Sequence, residues 1–380
     1  MLYAASIALF DVRIVVAMMR DTLESRFTAR NGLNLFRIIL ATGVIFTHSY
    51  PLTGDVIGSA PLRQFAGSFS VDGFFAISGF LITMSWMRRP DWRDYLRSRT
   101  LRIFPGFYVC LLATVLVLAP LGILVGAGTW PSGYPDSGVT YLLKNSLLYI
   151  GQLKIAGTPD AVPYPEAWNG SLWTLFWEFL CYLAVLALGM LGLLRKRSFM
   201  VAAFVAMLVL VGIVIVLHID SWWVTNTARF GTMFLAGCLV FLFRSRIPVR
   251  LPLVLGAFAI VAASMLLPDY RVVGALPFAY GLICASTYVT SPRLEFRRND
   301  WSYGVYIYAF PVQQILAGTS IGDLPPLIFG VVAFLATLPL AAGSWYLIER
   351  PALKLRHRRS TARHVGMNPS ESRAVRGPSR

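Results

Sequence analysis

Leu33-Asn-Leu-Phe-Arg37-Ile-Ile-Leu-Ala-Thr-Gly-Val-Ile-Phe-Thr-His48-Ser-Tyr-Pro51 is apolar apart from one cation and one imidazole near its two ends. The stretch is long enough to cross a bilayer core as a helix. Arg37 and His48 are eleven positions apart. At 100° per residue that is three turns plus about 20°, so both project from nearly one face, roughly 16 Å apart along the axis. Ionisable groups inside a spanning helix are costly to place there and mark function by default. One group faces each end of the span, which points to chemistry that involves both sides of a membrane.

The rest of the chain fits that setting. Hydrophobic residues make up 56% of the 380 residues and charged ones 14%, where soluble domains carry about a quarter. Ten spans are expected, at 34–52, 67–87, 103–127, 171–194, 199–218, 230–244, 251–267, 272–290, 302–319 and 326–348. A further apolar stretch, 138–150, reads as a re-entrant or interfacial piece. The loops 88–102, 195–198, 244–250 and 291–300 and the tail from Arg350 hold most of the Lys and Arg. The alternate loops hold only Arg63, Lys144, Lys154, Arg229 and Arg271, with seven acidic residues among them. This alternation is what the positive-inside rule produces, with both termini cytoplasmic. The net charge of +16 therefore needs no nucleic acid as partner. The expected fold class is an all-α integral membrane protein of about ten transmembrane helices. Residues 1–33 form an N-terminal extension, 34–350 the membrane domain, and 351–380 a basic, disordered cytoplasmic tail. Cys110, Cys181, Cys238 and Cys284 all fall in apolar spans, without metal-type spacing or a disulfide framework.

Three constellations carry chemistry. Gly67-Ser-Phe-Ser-Val-Asp72-Gly-Phe-Phe-Ala-Ile-Ser78-Gly79-Phe-Leu81 places a carboxylate within the second span. Such a group needs a partner or a wet cavity, and the glycines of the motif allow close helix approach. Asn169-Gly-Ser-Leu-Trp173-Thr-Leu-Phe-Trp177-Glu178 opens the fourth span. Read from the spans, Asp72, Glu178 and His48 share the outer half at similar depth. One histidine with two carboxylates suits a general base oriented by a partner, or else a structural cluster that holds helices together. Third, Arg99 and Arg102 share a helix face before Pro105 and Tyr108. Their guanidinium forks suit a phosphate-bearing ligand, although topology alone also asks for arginines there. No phosphate-binding loop, dinucleotide fingerprint, zinc pattern or nucleophile elbow is present.

Taken in order, these motifs resemble the acyltransferase-3 family of membrane acyltransferases, over roughly residues 30–352. Arg37 and His48 match its arginine, ten residues, histidine signature. Val71 to Leu81 match its second-helix motif, Arg99, Arg102, Pro105 and Tyr108 its basic loop, and Ser171-Leu-Trp173 with Glu178 its tryptophan–glutamate motif. Ser302-Tyr303-Gly-Val-Tyr306-Ile-Tyr308 and Ile348-Glu349-Arg350-Pro351 match late motifs. The chain departs at Asn34, where aspartate is common, and at Ala309, where many members carry histidine. The resemblance implies an O-acyltransferase that moves an acyl group, acetyl by default, from cytoplasmic acyl-CoA to a sugar hydroxyl of a surface or exported glycan or glycolipid. It implies His48, Glu178 and Arg37 as catalytic residues, and Arg37, Arg99, Arg102 and Tyr108 as the donor site. Asp72, Ser78, Gly79 and Trp173 would support them. It also implies a bacterial plasma (inner) membrane location, no metal and no permanently bound cofactor. Some relatives add an esterase-like domain; this chain is expected to act alone or with a separate periplasmic partner. The competing class is a transporter or flippase of glycans, which would turn over no acyl-CoA.

Overall fold

A chain in hydrocarbon must satisfy its own backbone N–H and C=O groups, which favours helices for every apolar stretch. The computed structural model describes residues 21–126, 129–290 and 300–355. Among these there is no strand, only two isolated bridges, Thr22 with Pro248 and Ile155 with Thr158. The readings of residues 1–20 and of the tail beyond Leu355 lie outside the described residues.

The helices are α1 (Leu33–Leu52), α2 (Ala60–Arg88), α3 (Trp92–Ala113), α4 (Tyr134–Asn145), α5 (Thr174–Met190), α6 (Arg197–Val216), α7 (Trp222–Leu242), α8 (Leu251–Ser264), α9 (Arg271–Ser286), α10 (Ser302–Ala317) and α11 (Pro326–Ser344). α3 runs on through a π-helical turn, Thr114–Leu118, and α11 through another, Trp345–Glu349. Each expected span coincides with a helix, and 138–150 falls largely on α4. Five helical stretches are long and apolar enough to cross a membrane: α1, α2, Trp92–Val125, α6 and Pro326–Leu355. α5, α8 and α9 are apolar but shorter. α7 and α10 carry more polar residues, among them Arg229, Gln313 and Gln314.

Small residues set the closest approach, between α2 and α7. A Cβ on Gly79 would lie 2.0 Å from the Phe234 carbonyl oxygen, and one on Gly237 2.0 Å from that of Ala76. Backbones this close give a helix pair in a membrane its van der Waals contact. Gly67 has nothing within 4 Å of such a Cβ, so packing does not explain it.

α1 and α2 run antiparallel in a register that side-chain contacts fix. Leu40 packs where Gly73 lacks a side chain, Ser70 where Gly43 does, and the Thr47 hydroxyl donates to the Ala66 carbonyl at 2.8 Å. α5 begins differently from a helix that starts at a membrane surface. The chain before it enters the bundle: Trp168 is fully buried against Gly122, and the Asn169 amide donates to the Ile307 carbonyl, midway along α10, at 2.7 Å. The first turn of α5 therefore lies in the interior.

Candidate functional site

At the starts of α1 and α10, one carboxylate gathers two cations. Arg37 Nη1 and Arg102 Nη2 both donate to Asp300 Oδ2, at 2.5 and 2.6 Å, and Ser302 Oγ donates to Oδ1 at 2.5 Å. Burial alone would raise the Asp300 carboxyl. Arg102, Arg37 and the Ser302 hydroxyl together outweigh it and hold the group well below the usual carboxylate range. Arg102 continues to a second acid: its Nη1 lies 3.9 Å from Glu349 Oε2, while Ser344 Oγ donates to Oε1 at 2.9 Å. The π-helical turn at Trp345–Glu349 carries this glutamate. Arg102 also lies over the Tyr303 ring, at 5.7 Å.

Next to this cluster α1, α2, α5 and α10 enclose a cavity of about 40 Å³, with Arg37, Phe74, Thr174, Glu178, Ser302 and Tyr306 in its wall. Roughly 10–15 Å³ of such space holds a water molecule, so this is a narrow, wettable slot rather than a wide pocket. Glu178 is held on one oxygen: Ser78 Oγ donates to Oε1 at 2.9 Å and the Tyr182 hydroxyl at 2.5 Å. The Arg99 guanidinium lies over the Tyr182 ring at 5.8 Å. The Thr174 and Tyr306 hydroxyls are hydrogen-bonded to each other.

His48 lies elsewhere. Its ring meets Phe310 edge to face at 4.9 Å, and no hydrogen-bond partner for it occurs among the described residues. Gln313, one turn beyond Phe310, donates to the Ile45 carbonyl at 3.0 Å and to Ser49 Oγ at 3.1 Å, bracketing His48 on α1. Tyr306 and Phe310 follow each other on one face of α10 and stand between the cavity and His48.

The shared depth expected of Asp72, Glu178 and His48 is corrected here. The α1–α2 register sets His48 opposite Phe65, Asp72 opposite Ala41, and Ser78 opposite Leu35. At 1.5 Å per residue Asp72 is about 10 Å from the level of His48, and Ser78 with its partner Glu178 about 20 Å. The reason is the interior start of α5, which carries Glu178 to the level of Arg37. Neither carboxylate reaches the imidazole. Asp72, fully buried, accepts from Arg229 Nε at 2.9 Å, Arg271 Nε at 2.7 Å and the Tyr270 hydroxyl at 2.7 Å, which ties α2 to α7 and α9.

The basic pair also divides. Arg102 joins Asp300, whereas Arg99 lies between the Tyr95 and Tyr182 rings with Nη2 3.4 Å from Ser85 Oγ. Tyr108 stands apart from both, its hydroxyl donating to the Ser146 carbonyl at 3.0 Å. Trp173 packs against Trp222 and Phe230. Sequence reading missed Asp300, although it stands two positions before the Ser302 motif at the end of a basic loop. It also counted Arg229 and Arg271 only as loop charges; the buried Asp72 called for donors, but only the packing says which.

The sequence profile of the acyltransferase domain of the acyltransferase-3 family matches residues 30–346. An O-acetyl transferase of Shigella phage Sf6 is 27% identical over 332 residues, covering 84% of this chain and 95% of the relative. Nodulation protein 10 of Rhizobium leguminosarum bv. viciae is 29% identical over 370 residues, covering 86% of this chain and 94% of the relative. No solved structure matches the chain. The chain belongs to the acyltransferase-3 family. It is a membrane O-acyltransferase.

Proposed function

We propose that the protein transfers an acyl group, acetyl in the simplest case, from cytoplasmic acyl-CoA to a sugar hydroxyl of a surface or exported glycan or glycolipid, in the plasma (inner) membrane of a bacterium. The observation that carries this reading is the arrangement along α1: a cation cluster and slot at one end, and at the other an imidazole with no hydrogen-bond partner among the described residues. The loop charges support a cytoplasmic Arg37 end. There Arg37, Arg99 and Arg102 mark the entry for the donor's phosphates, and the slot beside Glu178 admits its slender arm. His48 then takes the proton of the acceptor hydroxyl as its oxygen attacks the thioester carbonyl. The C–S bond breaks as the C–O bond forms, and the thiolate leaves with that proton. The name of the phage relative, an O-acetyl transferase, favours acetyl.

The test is acyl transfer by purified protein with radiolabelled acetyl-CoA. His48→Ala is expected to lose about 10²–10⁴ of the rate, as removal of a general base does, while still reaching the membrane. Near-normal transfer by a well-expressed variant would overturn the role of His48. Absence of any acyl-CoA turnover by the wild type, with every acceptor tried, would overturn the choice of donor.

A further inference from the structure

A second cavity lies on the outside of the bundle, between α1 and α2. It measures about 260 Å³ and is walled by Ile39, Phe46, Tyr50, Leu62, Phe65 and Phe69, among others. Its wall on α1 runs from Ile39 to Tyr50, about 16 Å at the helical rise. Ile39, Leu62 and Phe65 are 52%, 51% and 43% exposed, so the groove opens sideways, toward lipid in a bilayer. Its hydroxyl-bearing residues are few: Thr47 Oγ is spent on the Gly43 and Ala66 carbonyls, Ser70 Oγ packs against Gly43, and Tyr50 stands at one end. The rest of the wall is aliphatic and aromatic and suits a hydrocarbon chain.

The mouth is different. Arg63 Nη1 donates to the carbonyls of Ile57, itself a wall residue, and Gly58, at 3.0 and 2.6 Å. That anchors the guanidinium at the groove's end, and its other N–H groups have no partner among the described residues. Topology does not ask for this cation, because the loop between α1 and α2 lies on the side that the positive-inside rule depletes. A guanidinium fork fixed beside an apolar groove matches a phosphate at the head of a chain.

We propose that the α1–α2 groove binds the lipid carrier of the acceptor: a single-chain isoprenoid-type phosphate, its chain between the helices and its phosphate on Arg63. This rests on the glycan-acceptor reading above. The groove shares α1 with His48, and its Thr47 and Tyr50 flank that residue. A sugar borne on the phosphate would start at the His48 end of the bundle.

The experiment uses the full-length protein in phosphatidylcholine nanodiscs and a diazirine-bearing isoprenyl phosphate, with no acyl-CoA present. Cross-links are expected within residues 33–52 and 60–88. Ala66→Phe, which fills the groove, and Leu62→Asp, which charges its mouth, should each lower labelling on the order of tenfold; the second serves if the first fails to fold. Arg63→Gln should lower it about tenfold and Arg63→Lys less, while the matching uncharged isoprenol labels weakly. Labelling spread over the lipid faces of α6 and α8, indifference to both groove variants, or full competition by phosphatidylglycerol would overturn the proposal. The last result would mark an ordinary bilayer lipid site. Because the readout needs no acyl transfer, its failure is distinct from failure of the enzymatic reading, which acetyl transfer to a soluble sugar tests separately.

Discussion

Glu178 accepts both of its hydrogen bonds on Oε1. A glutamine there can keep the same two donors and lose only the charge. Glu178→Gln is therefore expected to melt within a few degrees of the wild type in detergent, yet to lose acyl transfer by about 10²-fold or more. Loss of stability and activity in proportion would make Glu178 structural. Asp72 contrasts with it, because three donors converge on a carboxylate with no exposure. Asp72→Asn takes the counter-ion from Arg229 and leaves Arg271 only Asp269, and breaking a buried pair from one side costs about 3–5 kcal/mol. The yield of folded protein should fall sharply, while activity per folded molecule survives. Measuring melting temperature and transfer rate on both variants separates the two roles. At this scale residue types in the sequence marked which buried groups need partners, and the partners themselves were what it withheld. That Asp72 needed donors follows from chemistry; that they come from α7 and α9 follows only from packing.

Between α2 and α7 the glycines act through space rather than flexibility. A methyl on Gly79 has to displace the backbone at Phe234, and overpacking of this kind costs about 1–3 kcal/mol. Gly79→Ala should lower the detergent melting temperature, whereas Gly67→Ala, facing open space, should be neutral or slightly stabilising. Equal effects at both sites would remove close packing as the explanation. The start of α10 is tied to α1 and α3 through Asp300. Since its folded carboxyl is held low, its contribution is complete above the ordinary value of 3.8 and drains away as pH falls below that. The melting-temperature gap between the wild type and Asp300→Asn should therefore be widest near about pH 6 and narrow toward about pH 3. A gap independent of pH would mean that the ionised form of Asp300 is not what stabilises. Helix positions were legible in the apolar runs because each run is bounded by charges or prolines. The depth at which α5 begins was not, since Asn169 and Trp168 read as ordinary loop residues until Ile307 and Gly122 are seen beside them.

For the whole molecule, orientation decides the chemistry. By the positive-inside rule the loop charges predict Tyr95 and the C-terminus on the cytoplasmic side, and Asp136 and Asp160 outside. Reporter fusions at those four points should read in that pattern, and an external reading at Tyr95 would reverse the donor and acceptor sides. The hydrophobic surface follows from the same setting: Leu147, Leu266 and Leu347 are among the most exposed of the large hydrophobic residues described, as expected where lipid replaces water.

The ring of Phe310 against His48, with the Phe74–Tyr306 contact below it, has a bioenergetic consequence. A catalyst supplied from two aqueous compartments risks becoming a leak, for any continuous file of water between them would conduct protons and dissipate the gradient on which the cell runs. Phe310, which meets His48 edge to face, and the edge-to-face pair Phe74–Tyr306 stand along that path. On the proposed reading these rings would confine reagent exchange to the moment when a donor arm itself fills the passage, and the membrane would stay insulated while the enzyme idles.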